Sequence, residues 1–115
     1  MIAEELKDLV CTALENLKGR DIVVSDVREL TGVTDYMVFC TGTSSRHVKS
    51  LADSVEEEAK KAGVQAFGIE GKQVSDWVLV DFGDVVVHVM TPEARAFYDL
   101  ERLWSTPAAQ PGDAR

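Results

Sequence analysis

The stretch WVLVDFGDVVVHVMTPEARAFYDLERLW, residues 77–104, decides the architecture, reading as a β-hairpin followed directly by a helix. Phe82-Gly83-Asp84-Val85 is a two-residue hairpin loop, because glycine at the first central position tolerates the positive φ of a II′ turn. With Phe82 opposite Val85, the register pairs Asp81 with Val86, Val80 with Val87, Leu79 with His88, Val78 with Val89 and Trp77 with Met90. Side chains alternate across a strand, so Val78, Val80, Phe82, Val85, Val87 and Val89 share one face and predict a core. The opposite face carries Trp77, Leu79, Asp81, Val86, His88 and Met90, too apolar for plain solvent and too polar for plain core. Two readings are open for it. Either a helix covers it, with Asp81 and His88 satisfied locally, or it docks onto another macromolecule.

Working outward, Ile2, Leu6, Leu9, Val10, Ala13, Leu14 and Leu17 recur at three- and four-residue intervals and predict an amphipathic helix, with Gly19 as its stop. Ile22 to Val24 predicts a short strand buried on both faces. A loop from Val27 to Asp35 leads to the apolar strand Tyr36–Thr41. Val48, Leu51, Ala52, Val55, Ala59 and Ala62 then predict a second helix, capped by Ser44 or Ser45 and closed by Gly63. Gln65 to Ile69 reads as a weak strand. Thr91-Pro92 starts the last helix, with Ala94, Phe97, Leu100, Leu103 and Trp104 expected inward and Arg95, Tyr98 and Glu101 on another side. The order implies an α/β fold, a five-stranded mixed sheet with flanking helices, in one domain over residues 1–104. The tail 105–115, rich in proline and small residues, reads as disordered.

A formal net charge of −8 excludes a general electrostatic footprint for nucleic acid and favours a basic protein partner. Cys11 and Cys40 have no close spacing, which fits a reduced, cytoplasmic protein. The amino terminus is no signal peptide, and no apolar run is long enough to span a membrane.

Gly42 to Ser44, where strand yields to helix, is the one place suited to a phosphate, but it lacks both nucleotide-binding glycine patterns; a capped helix start is the plain alternative. His47 and His88 have no partner at metal-ligand spacing, and no nucleophile elbow frames Ser44. Asp35, Asp81 and Asp84 form no D-x-D pair for two-metal transfer. A non-enzymatic protein without metal or other cofactor is expected. The rival is a nucleotide-binding or nucleotidyltransferase-like enzyme using Gly42 to Ser44.

One set of residues is specific as a set. Asp21-Ile22-Val23-Val24, Asp35-Tyr36, Thr41-Gly42-Thr43-Ser44 with Arg46-His47, Gly71, Trp77, residues 81–89, Arg95, residues 97–101 and Leu103-Trp104 resemble the ribosomal silencing factor family, also called RsfS or Iojap-like. The resemblance spans Ile2 to Trp104. It implies a fold related to nucleotidyltransferases, without that activity. It further implies a factor that binds the large ribosomal subunit through ribosomal protein L-fourteen and sterically blocks joining of the small subunit, repressing translation; organellar relatives are linked to large-subunit assembly. Set beside it, the face with Trp77, Leu79, Val86 and Met90 next to Asp81 suits docking on a basic ribosomal protein, extended by Tyr98, Leu100 and Glu101. Trp77 and Tyr98 are the favoured contacts. The alternatives are a core role for Trp77, a cover over the sheet end for Tyr98, and a locally satisfied strand residue for His88. Homodimers among relatives imply that the same surface, with Trp104, also serves self-association.

Overall fold

The computed structural model describes residues 1–104, the side chains of Leu103 and Trp104 excepted. The expected disorder of the tail and the inward placement of Leu103 and Trp104 therefore lie outside the described residues.

The elements run α1 (Ala3–Asn16), β1 (Arg20–Asp26), β2 (Tyr36–Thr41), α2 (Ser45–Lys61), β3 (Gly68–Glu70), β4 (Trp77–Asp81), β5 (Val85–Met90), α3 (Pro92–Tyr98) and a short 3-10 helix, Leu100–Trp104. They build one five-stranded sheet in the order β1-β2-β5-β4-β3. β2 and β5 are parallel, and the other neighbours are antiparallel. These two central strands are buried along their whole length, which is why both read as unbroken apolar runs.

The hairpin keeps the predicted register, Asp81 opposite Val86 through Trp77 opposite Met90. Gly83 has φ +89, and Phe82 N–H donates to Val85 O at 2.9 Å. The turn is also tied to the neighbouring strand, since Asp35 N–H and Tyr36 N–H both donate to Asp84 O.

α1 and α2 cover one face of the sheet. Leu6, Val10, Ala13 and Leu14 from α1, and Val48, Leu51, Ala52, Val55 and Ala59 from α2, pack on Val38, Cys40, Val78, Val80, Val85, Val87 and Val89. Each such fully buried aliphatic side chain contributes roughly 1.5–3 kcal/mol, so this layer is the main source of stability. Ser44 caps α2 by accepting from His47 N–H at 3.1 Å. His47 in turn accepts at Nδ1 from Thr43 N–H and donates from Nε2 to Leu17 O, which staples the end of α1 to the start of α2.

The sequence misplaces several features. β1 is not buried on both faces: it is an edge strand, with Val23 and Val24 exposed. A β-branched run marks a strand but does not say whether it is central or peripheral. The positive φ that ends α1 falls on Lys18 rather than on Gly19. Gly19 is needed for close approach, because a Cβ there would sit 2.5 Å from Cys40 Sγ. β3 occupies Gly68–Glu70, starting three residues beyond the expected start and shorter. Phe97, expected inward, is exposed.

Candidate functional site

The second face of the sheet is neither fully covered nor fully open. Val27, Met37, Phe39, Val86, Met90 and Ala94 form a smaller buried cluster there, with Trp77, Leu79 and Leu100 packed at its margin. Ala94 is the one buried residue of α3, and a single methyl group cannot hold a helix in place. Arg95 does so instead. Its guanidinium pairs with both Glu101 carboxylate oxygens, at 2.8 and 3.0 Å, and donates to Asp21 O at 2.7 Å and Thr41 Oγ1 at 2.8 Å. One side chain thereby joins α3, the 3-10 helix, the irregular start of β1 and the end of β2.

The expected contacts separate accordingly. Met90 is 0% exposed and Val86 9%, so these two lie beneath the face rather than at its surface. The cause is the short cover formed by α3 and Val27, which the hairpin's own alternation does not reveal. Trp77, Leu79 and Leu100 are half-buried at the margin. Asp81 is half-buried and accepts from Gly83 N–H at 2.8 Å, serving the turn. Glu101 is half-buried and held by Arg95. Tyr98 remains outward, 49% exposed, with its ring centroid 4.7 Å from that of Trp77.

Phe97 belongs to this site too, which helical periodicity missed. It is 80% exposed and meets Tyr98 edge-on at 5.0 Å. α3 ends at Tyr98, and its C-cap Asp99 takes a left-handed conformation with φ +50, so the helical stripe projected from Ala94 does not continue to Leu100. An αL stop at an aspartate was the available signal.

Trp77, Phe97 and Tyr98 line an open cleft of about 860 Å³, with Val74 and Ala94 also apolar, Asp76 and Glu93 as the acids, and Thr43 to Ser45 in the same lining. In the loop Gly42 to Ser44 the backbone donors of Gly42 and Thr43 are already used. Gly42 N–H donates to Met90 O at 2.9 Å, Thr43 N–H to His47 Nδ1 at 2.9 Å, and Ser44 Oγ is taken by His47 N–H. Two carboxylates on the same cleft would repel a phosphate.

His88 lies beneath the aromatic wall, 5% exposed. Burial lowers its pKa to about 4, so it is neutral at pH 7. Burial also pushes the Cys40 thiol up to about 11 and raises Cys11, which leaves neither as a reactive thiolate. Among the described residues there is no cluster of three or more metal-ligating side chains, and no helix is long and apolar enough to cross a membrane.

Comparison with known proteins agrees with the residue pattern. A family described as "Ribosomal silencing factor during starvation" matches residues 2–114. A ribosomal silencing factor RsfS of Haemophilus influenzae is 49% identical over 100 residues, 87% of this chain and 98% of that protein. A mouse protein named "Mitochondrial assembly of ribosomal large subunit protein 1" is 38% identical over 101 residues, covering 85% of this chain and 44% of its own. A crystal structure of a Chromobacterium violaceum protein superimposes with a TM-score of 0.89 at 49% identity, over 90% of this chain and 87% of that one. The chain therefore belongs to the ribosomal silencing factor (RsfS) family.

Proposed function

We propose that this chain binds the large ribosomal subunit through the aromatic face of Trp77, Phe97 and Tyr98, meets ribosomal protein L-fourteen there, and blocks joining of the small subunit by occupying the space. The mechanism is steric and non-enzymatic, and it needs no cofactor. One observation carries the reading: a phenylalanine 80% exposed and a tyrosine 49% exposed stand beside Trp77 at the margin of a half-covered sheet face. Leaving such a group in water has a cost unless a partner removes it. Asp76 and Glu93 at the same cleft, in a chain of net charge −8, suit a partner with basic side chains. The mouse relative's name supports a large-subunit partner. A nucleotide-binding role for Gly42 to Ser44 is disfavoured by the internal hydrogen bonds of that loop.

An interface of ordinary size buries about 800 Å² on each partner, and truncating a central aromatic residue can cost about 2 kcal/mol, a thirtyfold loss of affinity. The test is co-sedimentation with isolated large and small subunits. Wild type should pellet with the large subunit alone, and Tyr98→Ala should bind markedly less. Equal binding by wild type and Tyr98→Ala, both folded, would place the contact elsewhere. A homodimer using the same face would hide it, so sedimentation of the free protein belongs beside this assay.

A further inference from the structure

The described rings of the site form a connected series from core to solvent. Phe39 stacks on His88 at 5.1 Å with 12° between planes, His88 lies 6.0 Å from Trp77, Trp77 lies 4.7 Å from Tyr98, and Tyr98 meets Phe97. Within that series the contact between Trp77 and His88 is polar. Trp77 Nε1–H donates to His88 Nδ1 at 3.1 Å. An indole can only donate, so Nδ1 is the unprotonated nitrogen and the ring proton sits on Nε2, which faces Met37 Sδ at 3.4 Å. Sulfur is a weak acceptor, so the bond from Trp77 is the main polar satisfaction of this imidazole.

A histidine is an expensive occupant of this position. Its neighbours in β5 are Val87 and Val89, its cross-strand partners are Phe39 and Leu79, and an aliphatic or phenyl side chain would fill the space without burying a polar ring. What a Leu or Phe could not supply is an acceptor for the indole. Trp77 and His88 are diagonal neighbours across β4 and β5, so this bond draws the indole along the sheet and leaves its carbon surface beneath Tyr98. The indole N–H is already used, and a partner meets Trp77 as a purely apolar group.

We propose that His88 is a positioning residue for docking: its Nδ1 fixes the orientation of Trp77, and Trp77 fixes the ring of Tyr98 on which Phe97 rests. This rests on the reading that the aromatic face is the docking surface. An aromatic patch held in one arrangement binds with less ordering cost than the same residues left free to turn. His88 itself touches no partner.

The test combines two readouts on His88→Leu, which cannot accept, and His88→Gln, which can. The first is the hydrogen-exchange rate of the Trp77 indole proton in the free protein by NMR, with Trp104→Phe used to assign the signal. The second is affinity for purified large subunits. His88→Leu should expose the indole proton to exchange at least about tenfold faster and weaken binding roughly tenfold, the scale of one hydrogen bond, while His88→Gln restores both toward wild type. In a Trp77→Phe background, where no indole bond exists, His88→Leu should have little further effect on binding. If the indole proton in folded His88→Leu exchanges as slowly as in wild type, the positioning role is overturned. The same holds if Trp77→Ala weakens binding and His88→Leu does not. If Trp77→Ala itself leaves binding unchanged, the docking face is wrong, and His88 loses its role in docking with it.

Discussion

Burial of His88 has a consequence for stability against pH. In the native protein the imidazole accepts from Trp77 and is surrounded by strand side chains, and burial lowers its pKa from 6.5 to about 4. In the unfolded chain it titrates near 6.5. Between these values the unfolded chain binds a proton that the native state refuses, so acidification favours unfolding. The contribution of neutral His88 is complete above about pH 6.5, declines as pH falls, and is exhausted near pH 4. A shift of this size corresponds to about 3 kcal/mol, a large part of a typical domain's stability of about 5–15 kcal/mol. Carboxylates add their own acid dependence: Arg28 holds Asp26 below the usual range, and for Asp53 desolvation is outweighed by Lys72 and Lys49 together, which hold it low as well. The comparison with His88→Gln isolates the imidazole, since glutamine keeps an acceptor but does not titrate in this range. Urea unfolding followed by circular dichroism at several pH values from 7.5 to 4 should show the gap between the two proteins shifting by about 3 kcal/mol in the variant's favour. A gap constant to about 0.5 kcal/mol across that range would refute a buried neutral histidine.

Other substitutions probe separate parts of the molecule. Gly71 has φ +94, and a Cβ there would run into the Trp77 carbonyl oxygen, so Gly71→Ala should cost at least about 2 kcal/mol and lower Tm clearly in a thermal melt. Arg95→Met should destabilise by about 2–3 kcal/mol because it removes the two bonds to Glu101 and the donors to the Asp21 carbonyl and the Thr41 hydroxyl; chemical denaturation measures this, and a loss under about 0.5 kcal/mol would contradict the clamp. Phe97→Ser should leave stability within about 0.5 kcal/mol and weaken large-subunit binding, a separation that a core position would not permit.

The hairpin register was legible because one glycine at the loop fixes every pair outward from it, and the alternation of valines then names the main core face. The α2 cap and the α3 start were legible for a similar reason, each depending on residues adjacent in sequence. What stayed hidden depends on neighbours distant in the chain. Val23 and Val24 look like core residues until the strand order puts β1 at an edge. Met90 looks available until Ala94 and Val27 close over its side of the sheet. Arg95 looks like a surface charge until the fold brings Asp21, Thr41 and Glu101 around it. Of the candidate contacts, Trp77 and Tyr98 do lie together at the surface margin, and Phe97, exposed on the same helix, meets Tyr98 there.

In the proposed mechanism the aromatic face blocks subunit joining by occupying the large subunit. Light scattering after mixing purified large and small subunits tests it most directly, with the chain added at rising concentration and Trp77→Ala as the matched control. Joining should be suppressed in proportion to bound wild-type protein, and largely restored with the folded variant at the same concentration. Undiminished joining while the wild-type chain remains bound to the large subunit would contradict it.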